Sequence, residues 1–278
     1  MEGVMSRMST PRGNENDTAS FSFRLRIPKE ASIPESRQPG WMSILMTRNA
    51  MMVERWLKEH FYNELEDGSL QGVKRNIAFC DCEWVKIGDV DGLAVLQIGV
   101  PGDDFEKDDF RVLLIQMARM TIIPSTLTRL MKDRRICKAF HGFAHDLGAL
   151  DQLGIKPRSA FEVNALSRVY LRKICQFTQY SRLPTLPDLV LQYLNIIRDT
   201  ATFEWTQWDH ETLHPWKARY AGLDTWYLWA LVRNLDIRIK GEEDTEAIAE
   251  EQMRKEIGAR IMELELGGIE AVNNEMHN

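Results

Sequence analysis

The sequence has no long apolar run, no paired-cysteine motif and no excess of positive charge. Its longest apolar runs fall short of the roughly 18–20 residues that a membrane-spanning helix requires, and the N-terminus lacks the apolar core of a secretory signal. None of the four cysteines forms a C-x-x-C pair, so we interpret them as free thiols in a reducing compartment; they are Cys80, Cys82, Cys137 and Cys175. We therefore expect an intracellular protein without a membrane anchor, nuclear or cytoplasmic, with a mitochondrial location left open by the Arg- and Ser/Thr-rich start.

The charge balance limits the possible partners. A formal net charge of −6 argues against a generally basic nucleic-acid binder, but it is compatible with a basic groove around an acidic metal site. Residues 1–40 are polar and without periodicity, which predicts a disordered arm. Residues 41–240 are expected to fold as one domain. The charged segment 241–278 is expected to be a helical or disordered tail and a candidate docking site for a protein partner.

Hydrophobic periodicity predicts an alternation of strands and helices. The short apolar segment from Met42 to Met46 indicates an edge strand, and Ala50 to Leu65 has helical spacing. Asp91-Gly92 is a hairpin signal between two strands. The later elements are predicted as a strand at 110–117, a helix at 125–133, a strand at 136–140, a helix at 143–153, a strand and then a helix at 160–170, and helices at 183–194 and 214–239. This order predicts an α/β fold, with a mixed sheet of three antiparallel and then parallel strands flanked by helices.

An apolar run that begins at Asn76 ends in two carboxylates, Asp81 and Glu83. Because side chains alternate along a strand, both carboxylates project from the same face. Two carboxylates held this close repel each other, and a hard divalent cation such as Mg²⁺ or Mn²⁺ relieves the repulsion. A D-x-E pair at a strand edge is more often solvated surface, so the pair alone leaves both interpretations open.

Two further acidic residues, Asp146 and Asp224, interrupt helices that are otherwise apolar. A charge that faces inward on an amphipathic helix is costly unless a partner neutralises it, and a shared metal cluster is one solution. Tyr220 lies four residues before Asp224, so the phenol and the carboxylate share one helix face.

These segments resemble, in order, the three motifs of the DEDD superfamily of 3′–5′ exonucleases. The motifs are D-x-E at Asp81 and Glu83, G-x-x-x-D from Gly142 to Asp146, and Y-x-x-x-D from Tyr220 to Asp224. The tyrosine is typical of the DEDDy subgroup, which includes ribonuclease D and the Werner-type exonuclease domain. The resemblance covers about residues 42–239 and implies a ribonuclease-H-like fold.

Two positions depart from the common family pattern. Gly142 stands where many members have asparagine, and the aspartate that usually follows the fifth strand is absent from Phe161-Glu162-Val163-Asn164. Neither departure removes a member of the catalytic set.

The resemblance implies a metal-dependent 3′–5′ exonuclease that acts on a single-stranded 3′ end of RNA or DNA and releases nucleoside 5′-monophosphates. Two Mg²⁺ or Mn²⁺ ions are the implied cofactors, and Tyr220 is implied to orient the attacking water. The implied metal ligands, catalytic together with the tyrosine, are Asp81, Glu83, Asp146 and Asp224. The alternative is a catalytically silent protein of the same fold that acts as an RNA-binding or scaffold subunit; the complete ligand set favours the enzyme.

Three residues near the motifs are candidate substrate contacts. Trp84 and Phe143 are aromatic side chains of the kind that stack on bases, and His141 precedes the second motif. Core packing for the two aromatic rings, and local hydrogen bonding for the histidine, are the more common roles of such residues.

Overall fold

The computed structural model describes residues 20–27, 40–65, 69–87, 90–102, 109–174, 184–197, 208–211 and 213–240. The strands of these segments are β1 (Ser20–Arg26), β2 (Trp41–Thr47), β3 (Tyr62–Glu64), β4 (Leu70–Val73), β5 (Ile77–Ile87), β6 (Val90–Val100), β7 (Phe110–Ile115), β8 (Cys137–Phe140) and β9 (Ala160–Glu162). The helices are α1 (Ala50–Phe61), α2 (Ser125–Lys132), α3 (Phe143–Gln152), α4 (Val163–Ile174), α5 (Leu186–Leu189) and α6 (Pro215–Lys240). None of the described helices has the length and apolar character needed to cross a membrane.

Seven of the described strands form one sheet in the order β1-β2-β7-β6-β5-β8-β9. The pairs β1–β2, β6–β7 and β5–β6 are antiparallel, whereas β2–β7, β5–β8 and β8–β9 are parallel. The predicted mixed sheet flanked by helices is confirmed, and it has the ribonuclease-H-like arrangement.

Alternation along β5 divides the core between the two faces of the sheet. Ile77 and Phe79 belong to the core that α6 covers, here called the α6 face. Ala78 and Cys80 belong to the core that α1, α2 and α3 cover, here called the α1 face. At Gly99 on β6, an added Cβ would lie 2.7 Å from Cβ of Thr225 on α6, closer than real Cβ contacts. The missing side chain therefore permits the close approach of α6 to the sheet.

The prediction that residues 1–40 form a disordered arm is wrong for Ser20–Arg26, which is strand β1. Phe23 and Leu25 of this strand pack against the α6-face core, and their alternation with polar residues is a strand pattern of period two. Because β1 pairs with β2, β2 is not the edge strand that we predicted. The rest of the arm, except Ile27 and Gly40, and the tail at 241–278 lie outside the described residues.

Two predicted helices differ at their ends. Helix α1 ends at Phe61 instead of Leu65, because Tyr62–Glu64 pairs with β4. Helix α5 begins at Leu186, where Thr185 caps its first turn, and it continues as a π-helical turn over Val190–Leu194. The described cysteines, Cys80, Cys82 and Cys137, are free thiols as predicted, and Cys175 lies outside the described residues.

Candidate active site

Three carboxylates meet between β5 and α6. Asp81, Glu83 and Asp224 each offer one oxygen, and these oxygens lie within 4.8 Å of one another. Glu83 and Asp224 are 6% and 3% exposed, whereas Asp81 is partly exposed. The irregularity in the pairing of β5 with β6 falls after Glu83, so regular alternation places both β5 carboxylates on the α6 face.

The electrostatics of this site are dominated by like charge. Burial raises the pKa of Asp81 well above its ordinary value, and repulsion from neighbouring carboxylates raises this pKa further. A hydrogen bond from the backbone N–H of Cys82 acts in the opposite direction. The contributing carboxylates, in decreasing order of effect, are Asp224, Asp146 and Glu83.

Asp146 lies in the first turn of α3 and approaches the site from the α1 face. Its side chain is 4% exposed and lies outside the group of oxygens within 4.8 Å, although its charge acts on Asp81. Burial, followed by repulsion from Glu162, raises the pKa of Asp146 to about 7, and a hydrogen bond with the Cys82 side chain lowers it. The four carboxylates Asp81, Glu83, Asp146 and Asp224 are called the acidic group below.

Tyr220 lies on α6, one turn before Asp224, and is 8% exposed. Its ring packs against Trp208, with the ring centroids 6.2 Å apart. The ammonium of Lys217 lies over the Trp208 ring, 5.2 Å from its centroid, and over the Trp216 ring, 5.5 Å from its centroid. These contacts hold the aromatic ring of Tyr220 on the helix face that carries Asp224.

The three candidate substrate contacts have different surroundings. Trp84 and Phe143 are both partly exposed and pack against the α1-face core, so each keeps an accessible part. Nε2 of His141 lies 3.1 Å from the carbonyl oxygen of Pro184 and 3.2 Å from Nδ2 of Asn164. This ring nitrogen therefore takes part in local hydrogen bonding, which the sequence analysis gave as the alternative to a substrate contact.

Sequence reasoning missed two residues that contact the site. Nε2 of Gln97 donates a hydrogen bond to Oε1 of Glu83 (3.0 Å), and Gln97 lies directly opposite Asp81 in the pairing of β5 with β6. The signal for Gln97 is a polar residue in the otherwise apolar part of β6 that follows Gly92. Glu162 is the last residue of β9, and its carboxylate accepts a hydrogen bond from the backbone N–H of Phe143 at the start of α3 (3.1 Å).

The donor set fits a hard divalent cation. All four members of the acidic group offer oxygen ligands, which Mg²⁺ and Mn²⁺ prefer. The largest influences on the pKa of Asp81 are burial, three carboxylates and one backbone N–H, so this charge is opposed by repulsion rather than stabilised by a basic side chain. A bound cation would reverse the unfavourable electrostatics of the group.

Comparison with known proteins gives one family and several related folds. A family model described as a 3′–5′ exonuclease matches residues 59–240. The exonuclease domain of Aedes aegypti Nibbler has a TM-score of 0.54 at 14% identity, over 83% of this chain and 99% of that chain. Trypanosoma brucei RNase D, solved in complex with RNA U12, has a TM-score of 0.51 at 18% identity, over 81% of this chain and 71% of that chain. These two likenesses support the fold.

A third solved structure has a higher sequence identity than these two and a lower TM-score. Brucella melitensis NrnC is 26% identical, over 70% of this chain and 87% of that chain, with a TM-score of 0.46. A comparison with curated proteins found no match.

Proposed function

Because this chain belongs to the 3′–5′ exonuclease family, we propose that it is an active, metal-dependent enzyme that removes nucleotides from the 3′ end of a nucleic-acid strand. The observation that carries the proposal is the group of three carboxylate oxygens within 4.8 Å of one another, contributed by β5 and α6. A protein that served only as a scaffold would gain nothing from this concentration of buried like charge, which costs folding free energy.

The acidic group would hold Mg²⁺ or Mn²⁺. Asp81, Glu83 and Asp224 supply oxygens from the α6 face, and Asp146 adds its charge from α3. When bound, two such ions neutralise the phosphodiester and activate the attacking water. Gln97 orients Glu83 through its hydrogen bond, so this carboxylate is held before an ion arrives.

Tyr220 would orient the attacking water. Its side chain lies one helical turn from Asp224, and its ring is held by Trp208. The hydroxyl would accept or donate a hydrogen bond at the water that attacks the 3′-terminal phosphodiester. The expected product is a nucleoside 5′-monophosphate.

The substrate that suits this site is an unpaired 3′ end. Trp84 and Phe143 keep exposed parts near the ends of β5 and β8, where bases of a single strand could stack on them. Stacking on a ring face is available to the bases of RNA and of DNA, so both are proposed as substrates.

The decisive experiment uses two 5′-labelled single strands, one RNA and one DNA, with the purified chain in Mg²⁺, in Mn²⁺ or in EDTA. A ladder that shortens from the 3′ end, depends on metal and is absent in Asp81→Asn is the expected result. The faster strand identifies the substrate class. Intact strands in every lane, with retained strand binding, would overturn the proposal in favour of an RNA-binding or scaffold subunit.

A second variant separates the tyrosine from the metal ligands. Tyr220→Phe keeps the ring that packs on Trp208 and removes only the hydroxyl. We expect a lower kcat with an unchanged affinity for Mn²⁺. Equal rates for Tyr220→Phe and the wild type would assign the tyrosine to packing.

A further inference from the structure

The helix that carries Asp146 begins without a cap of its own. Gly142 is the N-cap residue of α3, with φ 73° and no capping hydrogen bond from a side chain. This left-handed backbone explains why glycine or asparagine suits the position, because both tolerate positive φ. The first N–H groups of α3 must therefore find acceptors elsewhere.

Glu162 supplies one of those acceptors from a different strand. Its Oε2 accepts a hydrogen bond from the backbone N–H of Phe143 (3.1 Å), the first residue of α3. Its Oε1 accepts a hydrogen bond from the backbone N–H of Asn164 (3.2 Å), in the first turn of α4. A negative side chain near two helix N-termini is also favoured by the helix dipoles.

The position of Glu162 follows from the sheet. Strands β8 and β9 are parallel, and Phe140 is paired with Glu162 where both strands end. Helix α3 starts three residues after Phe140, and α4 starts directly after Glu162. One carboxylate therefore joins the starts of two helices at the edge of the sheet where Asp146 enters the site.

We propose that Glu162 is a positioning residue that fixes the first turn of α3 and thereby sets the place of Asp146 in the acidic group. The inference deepens the proposed function and depends on it. Both carboxylate oxygens of Glu162 accept backbone hydrogen bonds, which fits positioning better than direct metal ligation. Asp146 lies three residues after Phe143, so a shift of the first turn moves its carboxylate as well.

The test compares Glu162→Ala with a capping variant on α1, a helix that carries no member of the acidic group. Asn49 caps α1 in the same manner, because its Oδ1 accepts hydrogen bonds from the backbone N–H groups of Met51 (2.9 Å) and Met52 (3.2 Å). Both variants remove a side chain that accepts two backbone hydrogen bonds, so their melting temperatures should fall similarly. Only Glu162→Ala is expected to lose about tenfold or more in Mn²⁺ affinity, measured by calorimetry, and in kcat at nearly unchanged KM.

A conservative variant distinguishes positioning from folding. Glu162→Gln keeps the length of the side chain and one acceptor oxygen, so it should restore part of the Mn²⁺ affinity and of kcat. Wild-type values of both in Glu162→Ala, with a melting temperature lowered as in Asn49→Ala, would reduce Glu162 to a structural cap. A wild-type chain that neither binds Mn²⁺ nor shortens the strands would overturn the proposed function itself, and the inference with it.

Discussion

His60 on the α1 face and Asp81 on the α6 face are both surrounded by like charge, and their pKa values shift in opposite directions. On the α1 face, burial lowers the pKa of His60 to about 3, and three nearby cations act in the same direction; they are Arg111, Arg75 and Lys74. On the α6 face, burial and repulsion raise the pKa of Asp81. The pKa of Asp146, at the same site, is raised to about 7.

The two sites differ in whether the perturbed side chain can become neutral at physiological pH. An imidazole with a lowered pKa loses its proton and remains buried without charge. A crowded group of carboxylates becomes neutral only by taking up protons or by binding a cation. His60 is therefore buried as a neutral imidazole, whereas the acidic group would need a cation or protons to become neutral, which is typical of a functional site.

The largest expected effect is the stabilisation of the acidic group by metal. Mn²⁺ at 100 times its dissociation constant should raise the free energy of unfolding by about 2.7 kcal/mol, because it binds only the folded chain. Asp224→Asn should remove most of this gain, since it takes one of the three clustered oxygen ligands. Urea unfolding with and without Mn²⁺ measures both values.

The control for this prediction is an acidic residue of the same fold outside the group. Asp151 is exposed on α3 and forms an ion pair with Lys156 (3.1 Å). Asp151→Asn should keep the full stabilisation by Mn²⁺. An equal gain in Asp224→Asn and the wild type would place the ion elsewhere in the protein.

The next largest effect is the loss of stability in acid that His60 causes. The unfolded histidine has its ordinary pKa of 6.5 and the folded one a pKa of about 3, so the unfolded state takes up the proton first as the pH falls. The contribution of His60 to the free energy of unfolding should therefore fall by up to about 1.4 kcal/mol per pH unit below pH 6.5, until the folded pKa is reached. Urea unfolding over this range should show that His60→Gln loses less stability than the wild type as the pH falls. His210→Gln, which changes an exposed histidine, should keep the wild-type slope.

Local patterns predicted the parts of the fold that depend on nearby residues. The apolar run of β5 and its period of two were enough to place Asp81 and Glu83 on one face, and the spacing of four was enough for Tyr220 and Asp224. The strand β1 was missed because its short alternating pattern lies in a polar segment, and it is stabilised by pairing with β2, which comes later in the sequence. Such pairing has no local signal.

The contacts of Gln97 and Glu162 were missed for a related reason. Gln97 reaches Glu83 only because of the register between β5 and β6. Glu162 reaches Phe143 only because β8 and β9 end at the same level. Register and strand ends are set by tertiary packing, so motif spacing identified the candidate ligands but not the residues that hold them.

A smaller effect is expected when one charge is removed from the acidic group. Without metal, Asp81→Asn should raise the free energy of unfolding by roughly 0.5–2 kcal/mol at neutral pH, because repulsion is relieved. The sign follows from the raised pKa: the folded state holds protons that the unfolded state has lost. This contribution is present at acid pH and is lost as the pH rises through the folded pKa, which for Asp146 is about 7.

Unfolding in EDTA over this pH range measures the effect of Asp81→Asn. The wild type should lose stability with rising pH more steeply than the variant, the opposite sign to the His60 effect. Asp151→Asn is again the matched control. A variant less stable than the wild type at neutral pH would show that Asp81 contributes to folding rather than only to metal binding.

The smallest expected effect on stability concerns Gln97, the neutral side chain that donates a hydrogen bond to Glu83. Gln97 is fully buried, and its Oε1 has no hydrogen-bond partner among the described residues, so the side chain carries a desolvation cost. Gln97→Met keeps the length of the side chain and removes both the unsatisfied oxygen and the hydrogen bond to Glu83. The free energy of unfolding should stay equal or rise, while Mn²⁺ affinity falls by about tenfold.

This combination distinguishes a residue kept for function from one kept for folding. Gln71→Met, on the exposed strand β4, controls for the chemical change and should leave Mn²⁺ affinity unaltered. If Gln97→Met lost stability and kept its Mn²⁺ affinity, the amide would contribute to folding and not to metal binding. The contrast between His60 and the acidic group would then be weaker, because a side chain beside the carboxylates would contribute to folding instead of metal binding.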